Sequence, residues 1–232
     1  MRVEPFSGKI ARKPALRLEY EFIFQEGAIY NDPVLGALGT LGWLACVVYS
    51  TIPTLWLLIH SRVEYWRSQR RLPYRVVVPL WIGSWVVVGW ATSAWRHAAF
   101  YRRAWTWLPA VALFALGVWL YREARVNFSQ QQLYGLAELR IQNAEQRLVT
   151  TGIRAHVRHP VYLGHWCELL AWSIGTGLAV CFVLTAFATV TGAVMIRMED
   201  SELERRFGDT YRAYRQSVPA LLPRLGRAGV RL

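Results

Sequence analysis

The sequence predicts an all-α integral-membrane helical bundle of about five transmembrane helices, the last two paired as a tight hairpin. Three observations predict it. Of 232 residues, 54% are hydrophobic and only 18% charged, and 12 are tryptophan. Long windows carry no charge, the pattern of a chain whose main solvent is lipid. The longest apolar run, His159 to Ile196, holds only His159, His165 and Glu168 among His, Asp, Glu, Lys and Arg.

The elements follow in order. Residues 1–32 carry five basic and five acidic residues and no apolar stretch of signal-peptide length. They read as an interfacial or soluble lead-in. Residues 33–126 read as three spans. The first run, Pro33 to Ile59, is long enough to cross a hydrocarbon core of roughly 30 Å as a helix, with a kink expected at Pro53. The second is Val76 to Trp95 and the third Ala104 to Tyr121, with arginine-rich connectors between them. After the third span, within the segment 122–160, the stretch Arg125 to Gly152 reads as a helical extension followed by a loop.

The final apolar run has 38 residues, about 57 Å as one helix and nearly twice the bilayer. It must fold back. Gly175-Thr176-Gly177 is the natural reversal, because glycine tolerates the backbone angles a turn needs. Two helices are therefore expected, Val161 to Ile174 and Ala179 to Arg197. The tail beyond them places Leu203, Phe207, Tyr211 and Tyr214 on one helical stripe, ended by Pro219 and Pro223.

Charge sets the expected orientation. The connector 61–75, the segment 122–160 and the tail 197–232 hold 19 of the basic residues, and the opposite side holds 8. The first side is expected to be cytoplasmic, with the N-terminus outside. Of 27 basic residues 25 are arginine, and the net charge is +12. Their position beside apolar runs points to membrane lipid headgroups rather than nucleic acid. Cys46, Cys167 and Cys181 lie inside apolar runs without CxxC spacing, so they predict neither a metal site nor a disulfide framework. No protein partner is evident.

A hairpin returns the chain to the side it left. It therefore brings LVTTGIRAHVRHPVYLG (Leu148 to Gly164) beside RMEDSELERRFGDTYRAY (Arg197 to Tyr214). Arg158, His159 and Tyr162 are expected to face Arg197, Glu199 and Asp200. Each also has a plain structural reading. Arg158 can snorkel to headgroups, Pro160 can be helix-start punctuation, and the acids can balance Arg205 and Arg206. Tyr211 and Tyr214 can be interfacial anchors. An acid two turns into a span faces a cavity or a partner. Glu168 either pairs with His165, three residues before it, or serves chemistry.

RHPVYLG, then a hairpin, then ED-x-x-L-x-x-x-FG-x-x-Y-x-x-Y-x-x-x-VP resembles the isoprenylcysteine carboxyl methyltransferase family, with its related phospholipid N-methyltransferases and thiol S-methyltransferases. The resemblance covers about Leu148 to Pro223. It implies that residues 127–232 are a methyltransferase core comprising a cofactor loop, the hairpin and a cytosolic C-terminal helix. It implies S-adenosylmethionine as methyl donor and a lipophilic acceptor entering from the bilayer. It also implies a multi-pass protein, expected in a bacterial inner membrane, with its site on the cytoplasmic side.

By the same resemblance, Gln146, Arg147, Leu148, Val149, Arg154, His159, Pro160, Val161, Tyr162 and Glu199 are the expected cofactor-binding residues. Arg197 and Glu168 are the expected catalytic ones. Three positions depart from the family pattern. Arg154 stands where an aromatic is usual, Asp200 replaces the second glutamate, and Met195 occupies the place of an arginine that orients a prenylcysteine carboxylate. A carboxylate acceptor needs a cation to position it, whereas a thiol or amine needs a base, a role open to Glu168, His165 or His156. The alternatives are a phospholipid N-methyltransferase, a non-catalytic membrane subunit that keeps the fold, and an isoprenoid or sterol reductase.

Overall fold

The computed structural model describes residues 33–68, 74–126 and 147–223. Eight α-helices run through them: α1 Pro33–Ser50, α2 Ile52–His60, α3 Val63–Ser68, α4 Tyr74–Ser93, α5 Trp107–Arg125, α6 Pro160–Thr176, α7 Ala179–Phe207 and α8 Asp209–Ser217. Short 3-10 turns at Ala104–Thr106 and Gly152–Ala155 precede α5 and α6. Among the described residues there is no β-strand; a single antiparallel bridge joins Ala99 to Leu178. The protein is an all-α membrane bundle.

Among the described residues, four segments are long and apolar enough to cross a membrane: Pro33–His60, Tyr74–Ser93, Ala104–Arg125 and Ala179–Phe207. The fifth expected span, α6, is 17 residues, about 26 Å long. It packs along α5, where small residues let the backbones approach. A Cβ built on Gly117 would lie 3.0 Å from the Gly164 carbonyl oxygen.

The first span breaks rather than bends. Pro53 has no N–H to donate back to residue 49, and the chain divides at Thr51 into α1 and α2. Polar side chains hold the outer helix α4 against the first span, one on α1 and one at the break. Trp43 Nε1 donates to Thr92 Oγ1, and Trp81 Nε1 donates to Thr51 Oγ1, each at 2.9 Å. The other face of α4 is exposed at Val86, Val87 and Trp90, an apolar surface suited to lipid.

The hairpin forms where expected, with longer arms. Gly177 adopts φ +65° and caps α6; a Cβ there would lie 2.1 Å from the Tyr101 carbonyl oxygen. Gly175 stays helical, and Trp107 leaves no room for a Cβ on it. The core gathers Cys46 and Val47 of α1, Leu169 of α6, and Cys181, Leu184 and Ala188 of α7.

The second arm does not end at Arg197 but continues without interruption to Phe207. Gly208, at φ +56°, then turns the chain into α8. The expected stripe is therefore divided between two helices. Leu203 and Phe207 on α7 still pack with Tyr211 and Tyr214 on α8, joined by Leu148 and Val218.

Candidate active site

Helix α6 begins at Pro160, whose fixed φ suits the first helical position, with His159 as the preceding cap residue. The short segment before it is pinned by the tail. Arg158 N–H donates to the Pro219 carbonyl at 2.9 Å and His159 N–H to the Ala220 carbonyl at 3.0 Å. These bonds fix the direction in which Arg158 and His159 project.

They project onto two consecutive acids of α7. Arg158 Nη2 donates to Asp200 Oδ2 at 2.8 Å, and His159 Nε2 lies 2.9 Å from Asp200 Oδ1. Tyr211 donates its hydroxyl to the same Asp200 oxygen, and Arg215 Nε stands 3.8 Å from Oδ2. Burial, followed by the bond to the Asp200 carboxylate, pushes the Tyr211 hydroxyl well above its ordinary range. Asp200 is thus a buried keystone, its side chain 5% exposed, tying α6, α7 and α8 together.

Glu199 is different. Its side chain is 18% exposed. It accepts one hydrogen bond, from the Tyr162 hydroxyl at 2.7 Å, and His159 Nδ1 lies 3.6 Å from the same oxygen. The Tyr162 and His159 rings stack at 5.5 Å. The acidic pair therefore divides its labour: Asp200 braces, and Glu199 stays partly exposed.

Below this clasp an apolar cleft of about 130 Å³ opens between α1–α2, α6 and α7. Tyr49 and Pro53 line one wall, Tyr162 and His165 a second, and Gly192 and Met195 the third. The break at Thr51 forms the first wall. Tyr162 belongs to both the clasp and the cleft, so the two spaces meet at its ring.

Of the expected cofactor residues, His159, Pro160, Val161, Tyr162 and Glu199 converge here. Leu148 packs on Tyr211 and Tyr214; Arg147 is exposed; Val149 is half-buried; Gln146 lies outside the described residues. Arg154 turns elsewhere. It is buried, its Nη1 donates to the Ala124 carbonyl at the end of α5, and its own carbonyl accepts from Tyr214. Burial lowers its guanidinium pKa, while Tyr214 and Glu199 oppose that. Glu168 is buried on the α5 side of α6, with Oε2 lacking a hydrogen-bond partner among the described residues. Arg197 is exposed and lines an open depression with His60, Arg205 and Arg212, away from the clasp. Two residues of helical rotation separate it from Glu199.

The sequence places Tyr211 and Tyr214 in its motif and allows them an interfacial role, but it gives no sign of Tyr49 or Tyr121. The Tyr-x-x-Tyr spacing was the available signal for the first pair. Tyr49 and Tyr121 lie on separate spans, and only the fold brings them beside His165.

Residues 105–210 match the phospholipid methyltransferase family. The chain's relatives include a protein-S-isoprenylcysteine O-methyltransferase of Schizosaccharomyces pombe, 34% identical over 119 residues, covering 49% of this chain and 48% of that one. A methanethiol S-methyltransferase of Crocosphaera subtropica is 27% identical over 121 residues, covering 50% and 47%. A protein-glutamine gamma-glutamyltransferase of Pseudomonas aeruginosa is 26% identical over 167 residues, covering 67% of this chain but 24% of its own. The chain spans about half the length of the first two relatives. No solved structure matches it.

Proposed function

We propose that this protein is a membrane methyltransferase that uses S-adenosylmethionine and methylates a lipophilic carboxylate or thiol drawn from the bilayer. The observation that carries the proposal is the junction at Tyr162. One acid left partly open, Glu199, sits beside it, and an apolar cleft begins beneath it.

The residues present fit the cofactor. S-adenosylmethionine supplies an activated methyl group on a sulfonium centre. Glu199 can accept hydrogen bonds from a ribose hydroxyl or an amine, and the Tyr162 ring face favours a neighbouring positive charge. Asp200, Arg158 and Tyr211 hold the clasp rigid, so the geometry is set before any ligand arrives. The cleft admits apolar chains and excludes water from the transfer. The site lies on the arginine-rich side, expected to be cytoplasmic. A phospholipid amine as acceptor is the second reading, supported by the family that matches residues 105–210; the product mass distinguishes the two.

The test is calorimetric titration of S-adenosylmethionine into detergent-purified protein, with Glu199→Ala alongside. Wild type is expected to bind, and the variant to bind at least tenfold more weakly while remaining folded. Unchanged affinity in the variant would remove Glu199 from the site.

A further inference from the structure

The cleft contains one basic side chain, and its surroundings orient it. His165 lies one helical turn below Tyr162 on the same face of α6 and lines the cleft. Its Nδ1 is 3.0 Å from the Val161 carbonyl oxygen and 2.6 Å from the Tyr121 hydroxyl. The Val161 carbonyl can only accept, so that contact is a hydrogen bond when the proton is on Nδ1, with the Tyr121 hydroxyl accepting as well; with the proton on Nε2, Tyr121 would instead donate to Nδ1. In the Nδ1–H form Nε2 carries a lone pair. Among the described residues the hydrogen bonds of this ring are all made by Nδ1, and the side chain lines the cleft.

The groups facing this imidazole are few. From α1 comes Tyr49, its ring 5.5 Å away; from α5 comes Tyr121, edge-on at 5.2 Å. On α6 itself, Glu168 stands one turn further on, bordered by Tyr49 and Tyr121. Helix α7 contributes Thr189, Gly192, Met195 and their apolar neighbours to the cleft, with no titratable side chain among them. Met195, 1% exposed, gives the cleft wall a thioether, and no lysine or arginine lines the cleft.

We infer that His165 is the general base of this site and that its acceptor is a lipophilic thiol. This rests on the methyltransferase reading above. The thiol sulfur forms a bond to the methyl carbon, and its S–H proton passes to His165 Nε2. The bond between the methyl carbon and the sulfonium breaks, its electron pair stays on the departing sulfur, and two neutral thioethers result. Tyr121 is a positioning residue: it holds Nδ1 and so keeps Nε2 aimed at the cleft.

Three measurements on the full chain in detergent test this. First, calorimetry establishes S-adenosylmethionine binding by wild type and His165→Gln; lack of binding by wild type refutes the methyltransferase reading itself. Second, nitrogen NMR of histidine-labelled protein, with His165→Gln assigning the signal, reads the tautomer without turnover. The Nδ1–H form is expected, and an Nε2–H form overturns the proposal.

Third, methyl transfer to n-octanethiol and to octanoate is followed by product mass across pH. Wild type is expected to methylate the thiol. His165→Gln is expected to lose about a hundredfold near pH 7 and to regain most of it near pH 10, where the thiol ionises unaided. Equal loss at every pH marks a structural role and overturns the inference. So does transfer to octanoate rather than the thiol, or no transfer to the thiol with S-adenosylmethionine bound.

Discussion

Asp200→Asn should be among the most destabilising isosteric changes in the protein. The substitution keeps the shape and removes the charge. Arg158, itself 8% exposed at the side chain, then lies buried without its carboxylate. Removing one partner of a buried ion pair costs about 3–5 kcal/mol, because the remaining charge is uncompensated. Arg158 retains its bonds to the Arg215 and Val218 carbonyls, which places the effect near the lower end, about 3 kcal/mol. For a chain of this size that corresponds to a fall in melting temperature of about 6–12 °C.

The assay is thermal unfolding in detergent followed by circular dichroism, with Glu199→Gln as the neighbouring control. Glu199 is more exposed and accepts one hydrogen bond, so its substitution should cost about 1 kcal/mol or less. Adding Arg158→Met to Asp200→Asn should recover about 1–3 kcal/mol, because it removes the stranded charge. A fall below about 2 °C for Asp200→Asn, or one equal to that of Glu199→Gln, would refute the division of labour between the two acids.

Other outcomes follow from the same geometry. Tyr214 is buried, and burial pushes its hydroxyl up to about 12 from an ordinary value near 10. A group whose folded pKa is raised contributes fully below the unfolded pKa, so stability should fall by up to about 3 kcal/mol between pH 10 and 12. Tyr214→Phe should flatten that limb in alkaline melts, even though it also loses the bond to the Arg154 carbonyl. Gly177→Ala should destabilise by about 3 kcal/mol or more in the same melts. It forces a side chain into a left-handed conformation and against backbone that cannot yield.

Much of the fold was legible because lipid imposes simple rules. Charge-free length marked the spans, and an apolar run too long for one crossing had to reverse at its glycines. The clasp was legible for the same topological reason: a hairpin must bring residues near 159 to residues near 199. What could not be read was direction around a helix. Arg197 and Glu199 are two residues apart, and only the packing of α7 decides which of them faces α6. Arg154 illustrates the same limit. Its position beside the motif suggested a ligand contact, yet the 3-10 turn at Gly152–Ala155 aims it at the end of α5. The break at Thr51 was foreshadowed by Pro53, but its consequence, a cleft wall, depends on where α6 and α7 pass.

That wall leads to a final prediction. An acceptor arriving from the bilayer must pass between the break and α7, where Gly192 faces Pro53. A Cβ on Gly192 would lie 3.9 Å from Pro53 Cγ, ordinary contact distance. The backbone there is helical, so alanine should be accepted with little change. Leucine would extend further, and the space it enters is the cleft itself. None of its atoms would reach Glu199 or His159, which lie two turns further along α7 and across on α6. Gly192→Leu should therefore keep S-adenosylmethionine affinity within about twofold while methyl transfer to a lipophilic thiol falls at least tenfold. Gly192→Ala should leave both nearly unchanged. If Gly192→Leu transferred methyl groups at the wild-type rate, the acceptor would not enter between the helix break and α7.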